Sequence, residues 1–223
     1  MIETGILDKK LKSLITENFK ELSSVEGNLL SVARGKDVKT FFITSCHPSE
    51  GKTVSAISMA YALATQAKTR VLLIDGNFHS PKIHELFSVN IVPGLSDLLL
   101  SNFDFSGLMK KTEYENLMIM SNGTDLSDKL NFFELGMLKD KLDPLRQRFD
   151  YIIVDGYSVF GSLDPSHIIK YFDGIIFVVE CEKTRWEVLQ QAKEKINNVG
   201  GNIVGAVLNK RKYYIPKKLY GKI

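Results

Sequence analysis

Six short apolar runs, separated by stretches with helical spacing, constrain this chain more than any other feature. They read "TFFITS", "RVLLIDG", "NLMIMS", "YIIVDG", "GIIFVVE" and "NIVGAVLN". Each lies within a few residues of turn formers and several are rich in β-branched residues, as expected of strands buried on both faces. Between them sit helical stretches such as "KTVSAISMAYALATQA", "DKLNFFELGMLKDKLDPL" and "RWEVLQQAKEKINNV". Strand–helix alternation repeated this often predicts an α/β fold: a mostly parallel sheet with helices on both faces. With 223 residues, 44% of them hydrophobic, the chain can bury one such core in a single domain.

Upstream of the first run, Leu11, Ile15, Phe19, Leu22, Val25 and Leu29 recur every three or four residues. That spacing predicts an amphipathic helix or helix pair in residues 1–36, suited to oligomerisation or a partner contact. A polar break, "RGKDVK", precedes the main domain, 37–209. Residues 210–223, "KRKYYIPKKLYGKI", form a tail with six basic residues and no acidic one. A basic tail usually stands solvated; with its tyrosines it also suits charge switching or an anionic membrane surface.

A net charge of +3 is too mild to argue for nucleic acid. Two scattered cysteines, Cys46 and Cys181, fit free thiols in a reducing cytosol. The first residues carry no secretory signal, and no apolar run approaches the roughly 20 residues of a membrane span. The expectation is a cytoplasmic protein that reaches the inner membrane only through a partner.

The stretch "TFFITSCHPSEGKTVSAISMAYALA" is a strand, a tight loop and a helix opening at Gly51-Lys52-Thr53. A phosphate-binding loop reads G-x-x-x-x-G-K-[ST], and here Cys46 takes the first glycine position. Such loops bind through backbone N–H groups and the positive helix end, so Cys46 need not abolish binding. Pro48, Ser49, Glu50, Gly51, Lys52, Thr53 and Val54 are the candidate ATP or ADP contacts. Lys52 is placed to reach the β- and γ-phosphates, and Thr53 to give its hydroxyl to Mg²⁺. Two apolar runs end in aspartate, Asp75 and Asp155. Carboxyl ends of neighbouring parallel strands converge where ligands bind, making both candidates for the metal and the chemistry. Each aspartate, taken alone, could instead cap the next helix.

From about Val38 onward, "SCHPSEGKT", "VLLIDGN" followed by "PGLSDLL", "FDYIIVDG" and "DGIIFVVECEKTRWEVLQQA…GNIVGAVLNK" resemble the bacterial tyrosine kinases of capsule and exopolysaccharide systems. These belong to the wider MinD/ParA group of P-loop NTPases. The resemblance implies a Walker A at Cys46–Thr53, a Walker A′ at Val71–Asn77 and a Walker B at Tyr151–Asp155. It implies Lys52, Asp75 and Asp155 as catalytic residues, Thr53, Asp75 and Asp155 around Mg²⁺, and Asn209 against the nucleotide base. Asn209 read by itself could equally cap a turn. It further implies autophosphorylation of Tyr213, Tyr214 and Tyr220 between neighbouring subunits, a homo-oligomer (dimer or ring), and a membrane polysaccharide co-polymerase as partner. Read without it, the tail tyrosines could simply close a sheet edge. His47 stands where the MinD/ParA proteins have a signature lysine, which favours the kinase branch.

The sequence also departs from the family. Its Walker A′ typically reads D-x-D and then arginine; here Asp75-Gly76-Asn77 is followed by His79. An amide cannot take a proton, and losing a general base costs about 10²–10⁴ in rate. "GYS" follows Asp155 where the family has T-P-P. The ring-building E-x-x-R-x-x-R pattern is matched only by Glu17, Lys20 and Ser23. Two further functions therefore stand beside an autokinase: a nucleotide-dependent switch in the same pathway, and a MinD/ParA-type positioning ATPase. Of the remaining residues, Cys46 is expected to pack inertly, and two histidines, His47 and His79, do not argue for zinc. Trp186, at a helix start with Val188, Leu189 and Ala192, is expected to pack.

Overall fold

All six apolar runs are strands. A computed structural model describes residues 3–36, 38–100, 105–124, 137–161 and 165–212. Among these, eight strands form one sheet: β1 (Thr4–Gly5), β2 (Thr40–Ser45), β3 (Val71–Asp75), β4 (Lys110–Thr112), β5 (Leu117–Met120), β6 (Tyr151–Asp155), β7 (Gly174–Glu180) and β8 (Ile203–Asn209). Their order is β1-β4-β5-β3-β6-β2-β7-β8, parallel throughout except between β4 and β5. The short β1 and β4 carry no periodicity to read, and both stand at one edge.

Strands β2, β3, β6 and β7 are apolar at successive positions because each face has its own core. The edge strand β8 has no fully buried residue and leaves Leu208 71% exposed, contrary to the expectation of burial on both faces. Phe41, Ile43, Val71, Leu73 and Ile153 point into one buried cluster; Phe42, Leu72, Ile74, Ile152 and Val154 point into the other. This is the period-two alternation of a pleated strand covered twice. The first cluster is closed by α1 (Lys9–Glu17), α2 (Phe19–Lys36) and α3 (Lys52–Thr65), through Leu11, Ile15, Leu29, Ile57 and Leu63. The short α4 (Ile83–Leu86) adds Ile83 to it. The second cluster is closed by α5 (Leu95–Leu100), α6 (Met137–Arg148), α7 (Ser166–Ile169) and α8 (Trp186–Asn198), through Leu98, Leu142, Ile169 and Ile196.

Two further details differ from the sequence reading. The polar break "RGKDVK" is not wholly a break, because α2 continues through Lys36 before the chain turns into β2. Trp186 does not pack: it is 71% exposed at the first position of α8, whose buried stripe runs through Ala192 and Ile196 instead. Among the described residues, no helix is long and apolar enough to cross a membrane.

Candidate nucleotide site

The phosphate loop leaves β2 at Ser45 and enters α3 at Lys52. Two of its residues have left-handed backbone, Ser49 at φ 65° and Gly51 at φ 99°. At Gly51 a side chain is excluded twice over: by that φ, and because a Cβ would lie 2.0 Å from Asn209 Nδ2. The loop is fixed from the β8 side. Asn209 Nδ2 donates to the Glu50 carbonyl (2.9 Å), and Lys210 Nζ donates to the Ser49 carbonyl (2.6 Å). The buried Glu50 carboxylate accepts the Cys46 N–H (3.0 Å) and the Thr184 hydroxyl. These carbonyls are thus held from β8, whose residues do not line the cleft on the loop's other side.

That cleft has a volume of about 490 Å³. Pro48, Ser49, Gly51, Lys52, Thr53 and Val54 form one wall; Asn77, His79, Ser80 and Lys82 form another, with Tyr157 and Ser158 beyond. Lys52 is buried, and its Nζ donates to Ser45 Oγ (3.0 Å). Burial lowers its pKa, against the opposing pull of Asp155 and Glu50. Two lysines and the N-terminus of a fourteen-residue helix facing one cleft make an anion site.

Asp75 and Asp155 end adjacent strands, and both are completely buried. Asp75 is fully engaged. Its Oδ2 accepts the N–H groups of Lys82 and Ile83 (both 2.9 Å), and its Oδ1 accepts that of Asn77 (3.2 Å). It therefore caps the start of α4 and ties down the 77–82 wall of the cleft, rather than lining the cleft itself. Asp155 is the opposite case. Neither oxygen has a hydrogen-bond partner, although the Thr53 hydroxyl stands close enough to favour the ionised form. Burial raises both carboxyls above the ordinary range, and Asp75 raises Asp155 further.

A buried carboxyl group whose oxygens accept no protein hydrogen bond, beside a threonine hydroxyl, is a set of hard oxygen donors. A divalent cation of the Mg²⁺ kind fits it. Of the predicted site residues, the structure thus brings Lys52, Thr53 and Asp155 together. Asp75 stands one strand away behind the wall, and Asn209 beneath the loop. Tyr213, Tyr214 and Tyr220 lie outside the described residues.

Other residues fall as their surroundings dictate. Cys46 is buried, its thiol pushed up to about 12 by burial and then by Glu50, so it stays a protonated packing group. His47 is exposed, with its ring 6.0 Å from that of Phe160. Ser80 and Lys82 lie outside the recognised motifs, and Thr184 and Lys210 fall within the family-like stretches without a role of their own. They enter the site only because the 77–82 turn, the β7–α8 connection and the end of β8 converge on it.

Residues 42–207 match a family model described as an AAA domain. The tyrosine-protein kinase CpsD of Streptococcus pneumoniae serotype 4 is 30% identical over 177 residues, 79% of this chain and 78% of its own. The crystal structure of the chimerical protein CapA2B2 superposes with a TM-score of 0.80 at 25% identity, covering 95% of each chain. The septum site-determining protein MinD of Pyrococcus horikoshii, complexed with Mg-ADP, shares the fold at a TM-score of 0.65 and 20% identity, over 81% of this chain and 74% of its own.

Proposed function

This chain belongs to the bacterial tyrosine kinases built on the P-loop ATPase fold, and from that premise we propose that it moves the γ-phosphate of ATP onto Tyr213, Tyr214 or Tyr220 of a neighbouring copy. The observation that carries this reading is the grouping of Lys52 and Thr53, which line the anion-binding cleft, with Asp155, which is buried behind them and interacts with both. Backbone groups of Pro48–Val54 and the start of α3 orient the nucleotide phosphates. Lys52, held by Ser45 in a water-poor setting, stabilises the charge that develops on the transferred group; removing such a donor costs about 10²–10³ in rate. Thr53 and Asp155 would hold Mg²⁺, which when bound would neutralise phosphate charge. Asp75 keeps the opposite wall in place through its three N–H bonds. Asn209 supports the loop from below through the Glu50 carbonyl, and a contact with the base is the role that its place in the family pattern suggests. The transferred phosphate regulates capsule or exopolysaccharide polymerisation and export, at the cytoplasmic side of the inner membrane, with a membrane co-polymerase as partner. Residues 1–36 supply the contact between copies.

A second reading is favoured by one observation. The cleft wall presents Asn77, which cannot accept a proton, while Asp75 is occupied with backbone donors. A nucleotide-dependent switch in the same pathway, binding ATP and transferring phosphate slowly, needs nothing more. Incubation with Mg-ATP followed by mass spectrometry of the tail separates the two. An autokinase gives phosphotyrosine that Lys52→Met abolishes and Asn77→Asp increases. Tight ATP binding without phosphotyrosine in any variant leaves the switch.

A further inference from the structure

The root of the tyrosine-bearing segment is fastened to the phosphate loop. Lys210 Nζ donates both to the Ser49 carbonyl (2.6 Å) and to a Glu180 carboxylate oxygen (3.1 Å). One residue earlier, Asn209 Nδ2 donates to the Glu50 carbonyl (2.9 Å), and the Asn209 carbonyl accepts the Cys181 N–H (2.9 Å). From the β7–α8 connection, the Thr184 hydroxyl donates to the Glu50 carboxylate. Three segments distant in sequence thus meet at one point: the loop, residues 180–184, and residues 209–210.

Backbone strain collects at the same point. Five non-glycine residues have positive φ among those described, and three lie in this junction: Ser49 (65°), Glu182 (64°) and Lys210 (57°). Left-handed conformations of such residues persist only where surrounding contacts over-determine them, and they gather at functional and switching segments. The sheet does not require Lys210, since β8 ends its pairing at Asn209 opposite Glu180. With its side chain 44% exposed, Lys210 is held by its two acceptors rather than by burial.

We propose that Lys210 is a positioning residue that clamps the phosphate loop and couples nucleotide binding to the root of the segment carrying Tyr213, Tyr214 and Tyr220. The inference rests on the kinase reading only for what that segment does. Tyr213 follows Lys210 by three residues, at most about 10 Å of extended chain. A tyrosine drawn toward another copy transmits its pull to the Ser49 and Glu180 contacts of Lys210. The coupling is reciprocal: the factor by which releasing the clamp weakens nucleotide binding is the factor by which bound nucleotide tightens the clamp.

The test uses the full chain and Mg-ADP. Lys210→Met is expected to weaken Mg-ADP binding about tenfold. It should also speed amide exchange across Cys46–Gly51 in nucleotide-free protein. Lys210→Arg, which keeps the charge and two donors, should recover most of both. In the wild-type chain, Mg-ADP should slow exchange at Asn209–Lys212. Unchanged affinity and loop exchange in Lys210→Met would overturn the proposal. So would weaker binding with unchanged loop exchange, which makes Lys210 a remote charge only. Absence of protection at residues 209–212 in the wild type would overturn the coupling however the variants fold. The kinase reading fails separately, by absence of phosphotyrosine after Mg-ATP, and that result leaves the binding and exchange outcomes to decide the clamp.

Discussion

Asp75 and Asp155 are paired in the register of β3 and β6 and equally buried, yet Asp75 accepts three backbone N–H groups and Asp155 accepts none. The first carboxylate is a structural acceptor whose three N–H donors offset part of the cost of its burial. The second is an electrostatic cost in the nucleotide-free protein, which a bound cation would offset.

That cost has a pH signature. The Asp155 pKa is raised from 3.8 to about 8, so the folded state holds a proton that the unfolded chain releases above its ordinary carboxylate range. The stability from this group is present at low pH and drains away as pH climbs from about 4 to about 8. Asp155→Asn removes the titration. Without nucleotide or Mg²⁺, the variant is expected to gain on the wild type across that window, by on the order of 1–3 kcal/mol at its upper end. Thermal melts near pH 5 and near pH 8 measure the gap; a gap that stays constant with pH contradicts the assignment.

For Asp75, the prediction concerns folding first. Asp75→Ala strands the N–H groups of Asn77, Lys82 and Ile83, at a cost of about 2–4 kcal/mol in urea unfolding. Asp75→Asn keeps one acceptor oxygen and should lose about half as much. Equal stability of the alanine variant and the wild type would show that the cap contributes nothing.

Gly51→Ala confronts two separable obstacles, a φ of 99° and Asn209 Nδ2 at 2.0 Å from the new Cβ. The variant is expected to lose about 2–3 kcal/mol of stability and most of its nucleotide affinity. Adding Asn209→Ala should return the steric part but not the backbone part. A double-mutant cycle measures the coupling, and strict additivity would show that the two residues do not meet.

Trp186 is the one tryptophan in the chain and is 71% exposed. Its emission is expected to be solvent-like and open to acrylamide quenching, and Trp186→Ala to change stability by no more than about 0.5 kcal/mol. Shielded, blue-shifted emission in the isolated protein would contradict this exposure.

Much of the molecule was legible because its signals are local. An unbroken apolar run marks a strand, covered on both faces everywhere but at the β8 edge, and "EGKT" between such a run and a helical stretch marks a phosphate loop. The misses have physical causes. Two strands, Thr4–Gly5 and Lys110–Thr112, are too short to show a repeating alternation. Trp186 looked like packing because hydrophobicity says that a residue can be buried, while the helix rotation that decides whether it is buried comes from Ala192 and Ile196.

The two aspartates mark the boundary between what the sequence determined and what the tertiary structure decided. "LLIDG" and "IIVDG" are nearly the same string, and each announces a carboxylate at the carboxyl end of a buried strand. Which one faces the phosphate loop depends on strand order. β6 lies between β3 and β2, so Asp155 is the neighbour of the strand that feeds the loop, and Asp75 is left beside the turn into α4. The same holds for Lys210, whose place at the end of "GNIVGAVLNK" assigns its side chain no role and which acquires one only because β8 ends beneath Ser49. Strand order and the meeting of distant segments are set by long-range burial of both sheet faces, which no short window of residues contains.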